Sequence, residues 1–459
     1  MTTIPHALPR SLPPLGQIPE LASLRYTERF SEARLDALRA QGDPLSDRVV
    51  AELAAAGRLE KFHDLLGAVR ERAAAGSVAC QELLDAVRVV PAWMDFRAIE
   101  AGQKVIAAFP AHMGISLFAG SLCGGAVFQK MAVITGMTGM FSGQPRRRLD
   151  ETAKMVVGMA FAGSLEPGGD GHELMLRVRL LHSALRRFLV DSGRYRHASE
   201  VPINQHDLAI TLALFGYLNV RSLVRMGVRF SDEELASFTL LWRYAGYVLG
   251  IDDAVLPRSL EEQRELFYVS ILHQGRPDKI PPATKGLIDA VARDATVRTP
   301  AAYPAARRFL HQSCRWLSGS EYVSGMQLED EGDRDWTILA LRATGLASGV
   351  LWRIPGGKSV MTAVGRRWYR RWLDEANARK DHAGEYRVRT GAGAHPGRLA
   401  AGAAGTAGAG GGAAGAAGGA GAAGGAAAGG AGAVGAAGAG AGGAGSVGAA
   451  GAAGGGEAV

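Results

Sequence analysis

Cysteine is scarce, strand-like alternation is scarcer, and one long stretch has no acid at all. Only Cys80, Cys123 and Cys314 occur in 459 residues. They are far apart, odd in number and free of any C-x-x-C, so neither a zinc site nor a disulfide framework is indicated, and a reducing, cytoplasmic setting is expected. Met1 to Phe30 is proline-rich and carries neither an apolar run nor paired arginines, so no secretion signal is expected. There is no G-x-S-x-G elbow. Gly357-Lys-Ser359 lacks the opening glycine of a phosphate loop, because Trp352 stands there. Glu60-Lys-Phe-His63 is one E-x-x-H with no second copy, which excludes a paired di-iron bundle motif. No Asp or Glu occurs between Ala101 and Leu149.

What is present is helical. From Leu399 onward the chain is almost only Ala and Gly, which cannot specify a packed core, so residues 391–459 are expected to form a disordered tail, and removal of 399–459 is expected to leave folding intact. Residues 1–25 read as an irregular arm and 26–390 as one large all-α domain. The net charge is +7, but acids and bases alternate along most of the chain, so no nucleic-acid stripe is expected. The exception is Gly365-Arg-Arg-Trp-Tyr-Arg-Arg-Trp-Leu373, which reads first as a solvated helix face with its tryptophans packed inward and second as a peripheral contact with an anionic membrane or with phosphates.

Apolar periodicity predicts helices over 47–56, 58–73, 79–89, 96–109, 148–161, 205–226, 232–250, 260–273, 300–317 and 335–353. The uncharged run Val105 to Phe128 is long enough to cross a bilayer, while its Pro110, Gly114, Gly120, Gly124 and Gly125 suit close packing in a core. His112 within it reads as a core histidine. Met131, Met137, Met140, Met155 and Met159 read as gap-filling packing.

The most informative helix is the one around His182. Leu174, Val178, Leu181, Leu185 and Leu189 make an apolar stripe, His182 lies at its edge, and Arg179 and Arg186 lie just beyond. Asp170 and Glu173 suggest a capping box at its start. A neutral imidazole flanked by cations and apolar walls can ligate haem iron, with the arginines pairing propionates or bracing the pocket. A lone histidine on such an edge also suits a core role, so the residues alone leave both open.

The segments Gly42-Asp-Pro-Leu-Ser-Asp47, Pro91-Ala-Trp-Met-Asp-Phe96, Arg148-Leu-Asp-Glu-Thr152, Val178-Arg-Leu-Leu-His-Ser-Ala-Leu-Arg186, Pro202-Ile-Asn-Gln205 and Trp242-Arg-Tyr-Ala-Gly-Tyr-Val-Leu-Gly-Ile-Asp-Asp253 together resemble the rubber oxygenase (latex clearing protein) family, which includes the fungal mycophenolic-acid-pathway oxygenase. The resemblance implies a globin-like helical core holding haem b, with His182 as proximal ligand and Arg148 and Thr152 on the distal side. It implies a haem-dependent oxygenase acting on an apolar, unsaturated, isoprenoid-like substrate and dioxygen. Trp242, Tyr244 and Tyr247 read as core anchors from the residues alone, and by the resemblance they would help to wall the cavity. The chain departs from the pattern in two places. Glu151 stands where rubber-cleaving members carry a lysine that can ligate iron, and the acid upstream of their distal arginine has no counterpart. A lysine-ligated closed state and efficient cleavage of long polyisoprene are therefore not expected. The alternatives are a haem-binding protein without turnover, serving as sensor, store or peroxide scavenger, and a membrane-peripheral helical protein without haem.

Overall fold

The computed structural model describes residues 17–20, 23–59, 64–128, 130–131, 134, 145–275, 282–297, 299–328 and 336–378, excluding the side chains of 145–148, 282–284, 324 and 337. The expected amino-terminal arm lies largely outside these residues, and the Glu60–His63 motif and the Gly/Ala tail lie wholly outside them. Among the described residues the fold is all-α, with no strand.

Helices α1 (Glu32–Arg39), α2 (Pro44–Ala55), α3 (Leu65–Ala74) and α4 (Val78–Arg88) come first, and each is capped by the side chain of the residue before it: Ser31, Asp43, Asp64 and Ser77. These side chains satisfy amide donors that the first helical turn leaves unpaired. Next come α5 (Glu100–Ala108) and α6 (Pro110–Gly125), which meet at a bend of 89° where Pro110 opens α6. The uncharged run is therefore not one straight rod. Its residues are almost all buried, and Ser116–Leu122 is π-helical.

Helix α7 (Pro145–Gly158) and helix α8 (Asp170–Asp191), which carry Thr152 and His182, pack together as a hairpin. Helix α9 (Gln205–Arg225) is the one described helix long and apolar enough to cross a membrane, yet 89% of its apolar window is buried. Helices α10 (Asp232–Val248), α11 (Leu260–Gln274), α12 (Pro282–Ala295) and α13 (Tyr303–Ser318) follow. The described chain ends in a hairpin of α14 (Trp336–Arg353) and α15 (Gly357–Ala378).

Two apolar clusters hold these helices together. The larger one takes in α5, α6, α9, α10, α11 and α13. The smaller, built on Val49, Leu53, Leu66, Val69 and Leu83 of α2 to α4, is completed by Leu176, Leu180 and Ala184 of α8. Helix α8 lies between the two and is buried nearly all round, which corrects the expectation of a single apolar stripe. Its Val178 and Leu181 are only half-buried, while Leu176 and Leu180 form a second apolar face. The cysteine expectation needs refinement as well. Cys123 and Cys314, remote in sequence, place their sulfurs 2.7 Å apart as buried free thiols.

Candidate haem site around His182

The sequence motifs come together at α8, because its two arginines reach out of the helix and bind distant segments. Arg179 donates from Nε and Nη2 to Asp43 Oδ2 and Oδ1 at 2.6 and 2.9 Å. Arg186 donates to the Asp47 carboxylate and to the carbonyls of Pro202 and Ile203, the last at 2.7 Å. Ile203 adopts a φ of 53°, a left-handed conformation unusual for a β-branched residue, and it turns its carbonyl to the guanidinium. Asn204 then caps α9 by accepting from the Asp207 amide at 3.0 Å.

Gln205 completes the lock. Its Nε2 donates to the carbonyls of Gly42 and Gly250 at 2.8 and 3.0 Å, and its Oε1 accepts from the Asp252 amide at 2.8 Å. Gly250, with a φ of 82°, leaves no room for a side chain, since a Cβ there would lie 2.4 Å from Asp43. The Pro91–Phe96 motif packs on α10: Trp93 meets Tyr247 edge-on at 6.1 Å, Phe96 meets Tyr244 at 5.3 Å, and Arg243 lies 3.9 Å above Trp93. Five of the six motifs thus form one interlocked assembly around the helix that carries His182. The sixth, Arg148 to Thr152, lies on α7, which packs against α8.

His182 is buried, and its Nδ1 has no hydrogen-bond partner among the described residues. Burial lowers its pKa to about 4, helped by the Arg186 charge and opposed by Asp43. The imidazole is therefore neutral at ordinary pH, with a lone pair available for a metal. A buried polar atom without a partner is costly in a folded core, and its presence fits a residue held ready for a ligand. The donor chemistry thus fits haem iron at His182. Arg179 and Arg186 are committed to carboxylates and carbonyls, an arrangement that favours bracing the helix over pairing propionates.

Thr152 is buried and Glu151 half-buried on α7, while the side chain of Arg148 lies outside the described residues. Positions 148 and 152 are one turn apart on that helix. His112 donates or accepts at Thr344 Oγ1 over 3.3 Å and its pKa is lowered by burial to about 4, as befits a core histidine. Met155 and Met159 are packed in the core, whereas Met137 and Met140 lie outside the described residues. Trp242 and Tyr244 are core residues as expected. Trp242 stacks on Phe215 at 5.1 Å, and the indole nitrogen of Trp242 and hydroxyl of Tyr244 are buried without partners.

Several residues escaped the sequence reading. Asp43 and Asp47 were visible only as motif letters, although a buried carboxylate facing an arginine is the clearest polar feature near His182. Asp150 and Lys154 are fully buried on the side of α7 away from Thr152. The expected capping box is absent: Gly169 precedes α8 without a side-chain cap, and Glu173 pairs with Arg70 instead.

Residues 109–349, just over half of the chain, match the family described as ER-bound oxygenase mpaB/B'/rubber oxygenase, catalytic domain. No curated protein matches the chain. Among solved structures, the latex clearing protein LCP in its closed state is similar in fold, with a TM-score of 0.53 at 16% identity over 72% of this chain and 89% of that one. With its motifs gathered about His182 and its matched region running through α6 to α14, the chain belongs to the mpaB/rubber oxygenase catalytic-domain family.

Proposed function

We propose that the protein is a haem-b-dependent oxygenase acting on an apolar, unsaturated, isoprenoid-like substrate. The observation that carries this reading is His182: a neutral, buried imidazole with a partnerless ring nitrogen, on a helix fixed by two buried or half-buried ion pairs. His182 would hold the iron, and haem would supply the activation of dioxygen. Asp43 and Asp47, through Arg179 and Arg186, would fix the rotation and height of α8 and hence the aim of the ring. Arg148, one turn before Thr152, would set a cation and a hydroxyl where negative charge builds as dioxygen is reduced. Apolar walls would exclude water and admit a hydrocarbon chain. Without an acid between Ala101 and Leu149, proton removal from the substrate has no carboxylate in that stretch, so efficient cleavage of long polyisoprene is not expected.

The test is dioxygen uptake by the haem-loaded protein with an isoprenoid olefin such as squalene. Wild type should consume dioxygen in step with loss of olefin. Arg148→Ala should keep its haem and turn over roughly a hundredfold more slowly, since one preorganised donor is worth about 3 kcal/mol in the transition state. A haem-loaded wild type that consumes nothing beyond autoxidation would assign the protein to haem binding without turnover.

A further inference from the structure

The terminal hairpin is built inside out. Helix α14 turns its glycines inward: a Cβ on Gly345 would lie 1.9 Å from the Met226 carbonyl, so α14 sits backbone-close on the end of α9. Its large apolar side chains point the other way. Trp336 is 79% exposed and Val350 65%, and Leu339, Leu346 and Ile354 are exposed with them at helical spacing on one face. Val360 and Val364 extend that face onto α15. Eight of the fourteen large apolar residues exposed among the described residues fall on this hairpin, so they form a surface and not a scatter.

Charge completes the pattern. From Trp336 to Leu373 there is no Asp or Glu, while Arg342, Arg353, Lys358 and two arginine pairs, Arg366-Arg367 and Arg370-Arg371, are present. Arg366 donates to the Ala160 carbonyl, Arg370 lies over Phe161, and Lys358 pairs with Glu234. Arg367 and Arg371, one turn apart on the same face as Val360 and Val364, are exposed with no ion-pair partner among the described residues, as are Arg342 and Arg353. The acids at Glu329 to Asp335 precede the stripe in sequence and lie outside the described residues.

We infer that the α14–α15 hairpin docks on an anionic lipid surface, its apolar ridge in the acyl boundary and its arginines at the phosphates. An outward apolar ridge bordered by unpaired arginines is the pattern of an interfacial helix. The Gly/Ala tail has no run of large apolar groups to cover such a ridge. A two-fold contact with a second copy would bring the arginine-rich face against itself.

The experiment is co-sedimentation of the full-length protein with vesicles of phosphatidylcholine alone and of phosphatidylcholine with phosphatidylglycerol. Binding should require the anionic lipid and weaken with salt. Arg367→Gln with Arg371→Gln should lower the partition coefficient roughly twenty-five-fold, about fivefold for each charge. Val350→Asp with Val364→Asp should abolish binding, while helical content by circular dichroism is unchanged in both variants. No binding to anionic vesicles, equal binding to neutral ones, or indifference to the arginine substitutions would overturn the proposal. So would a concentration-dependent dimer dispersed by the aspartates, which would give the ridge to a second copy. The readout requires neither haem nor turnover, so it stands apart from the oxygenase reading.

Discussion

Burial is what makes His182 a usable ligand, and the same burial makes it a source of pH-dependent instability. Its folded pKa of about 4 lies below the ordinary 6.5. Below pH 6.5 the unfolded chain takes up a proton that the folded chain refuses, so stability falls as pH drops from 6.5 toward 4. For one such group the loss is about 1 kcal/mol between pH 7 and 5.5. Urea titrations of the haem-free protein should show this slope, and His182→Ala should be flatter by about that amount; an unchanged slope would mean that the ring is solvated. The ion pair Asp43–Arg179 belongs to the same scale. Asp43→Ala leaves a buried guanidinium without its carboxylate and should cost about 3–5 kcal/mol, with Arg179→Ala in the same background restoring part of the loss. Additive single-variant losses would show that the two side chains act independently. His182, Arg179 and Arg186 could be picked out in the sequence because helical spacing sets them near one another, whereas Thr152 entered only through the family resemblance. The partners of the arginines could not, because Asp43 and Asp47 stand 136 and 139 residues before the arginines they bind, and no local pattern reports such a pairing.

Among the elements, glycine placement decides how closely helices approach. Gly102 on α5 faces the backbone of α10, where a Cβ would lie 2.7 Å from the Phe238 Cα. Gly102→Ala should separate the two helices and cost about 1–3 kcal/mol, read as a lowered urea midpoint. Gly286→Ala on α12 meets nothing within 4 Å and should instead gain about 0.5–1 kcal/mol. Equal effects at the two sites would refute the packing argument. Helix positions were largely readable, since the apolar period sets them, and most observed bounds fall within a few residues of those expected. Helix α1 was missed because eight residues give the apolar period only about two turns, α12 was missed although it buries Leu287, Ile288 and Val291, and α15 was read only as the basic and aromatic stretch 365–373. The start of α8 was misjudged for a steric reason: a Cβ at Gly169 would meet the Gly163 and Ser164 carbonyls, so the turn closes on glycine and the helix begins at Asp170. The outward face of α14 could not be read either, because periodicity gives the stripe without saying which side meets the core.

For the whole molecule, α8 joins the two apolar clusters, and the motifs of five segments close on it. A helix so placed cannot slide or rotate without breaking both clusters and both arginine anchors, which is what a fixed axial ligand needs. The all-helical architecture and the family follow from the motifs and their order. Haem itself is the central claim, and an absorption spectrum of the purified protein tests it most directly. The wild type, reconstituted with haem if isolated without it, should show a Soret band and the pyridine haemochrome of non-covalent haem b at about one per chain, and His182→Ala should lose it while remaining helical. A wild type with no Soret band after reconstitution, or a His182→Ala variant with stoichiometric haem and an unchanged spectrum, would contradict the account.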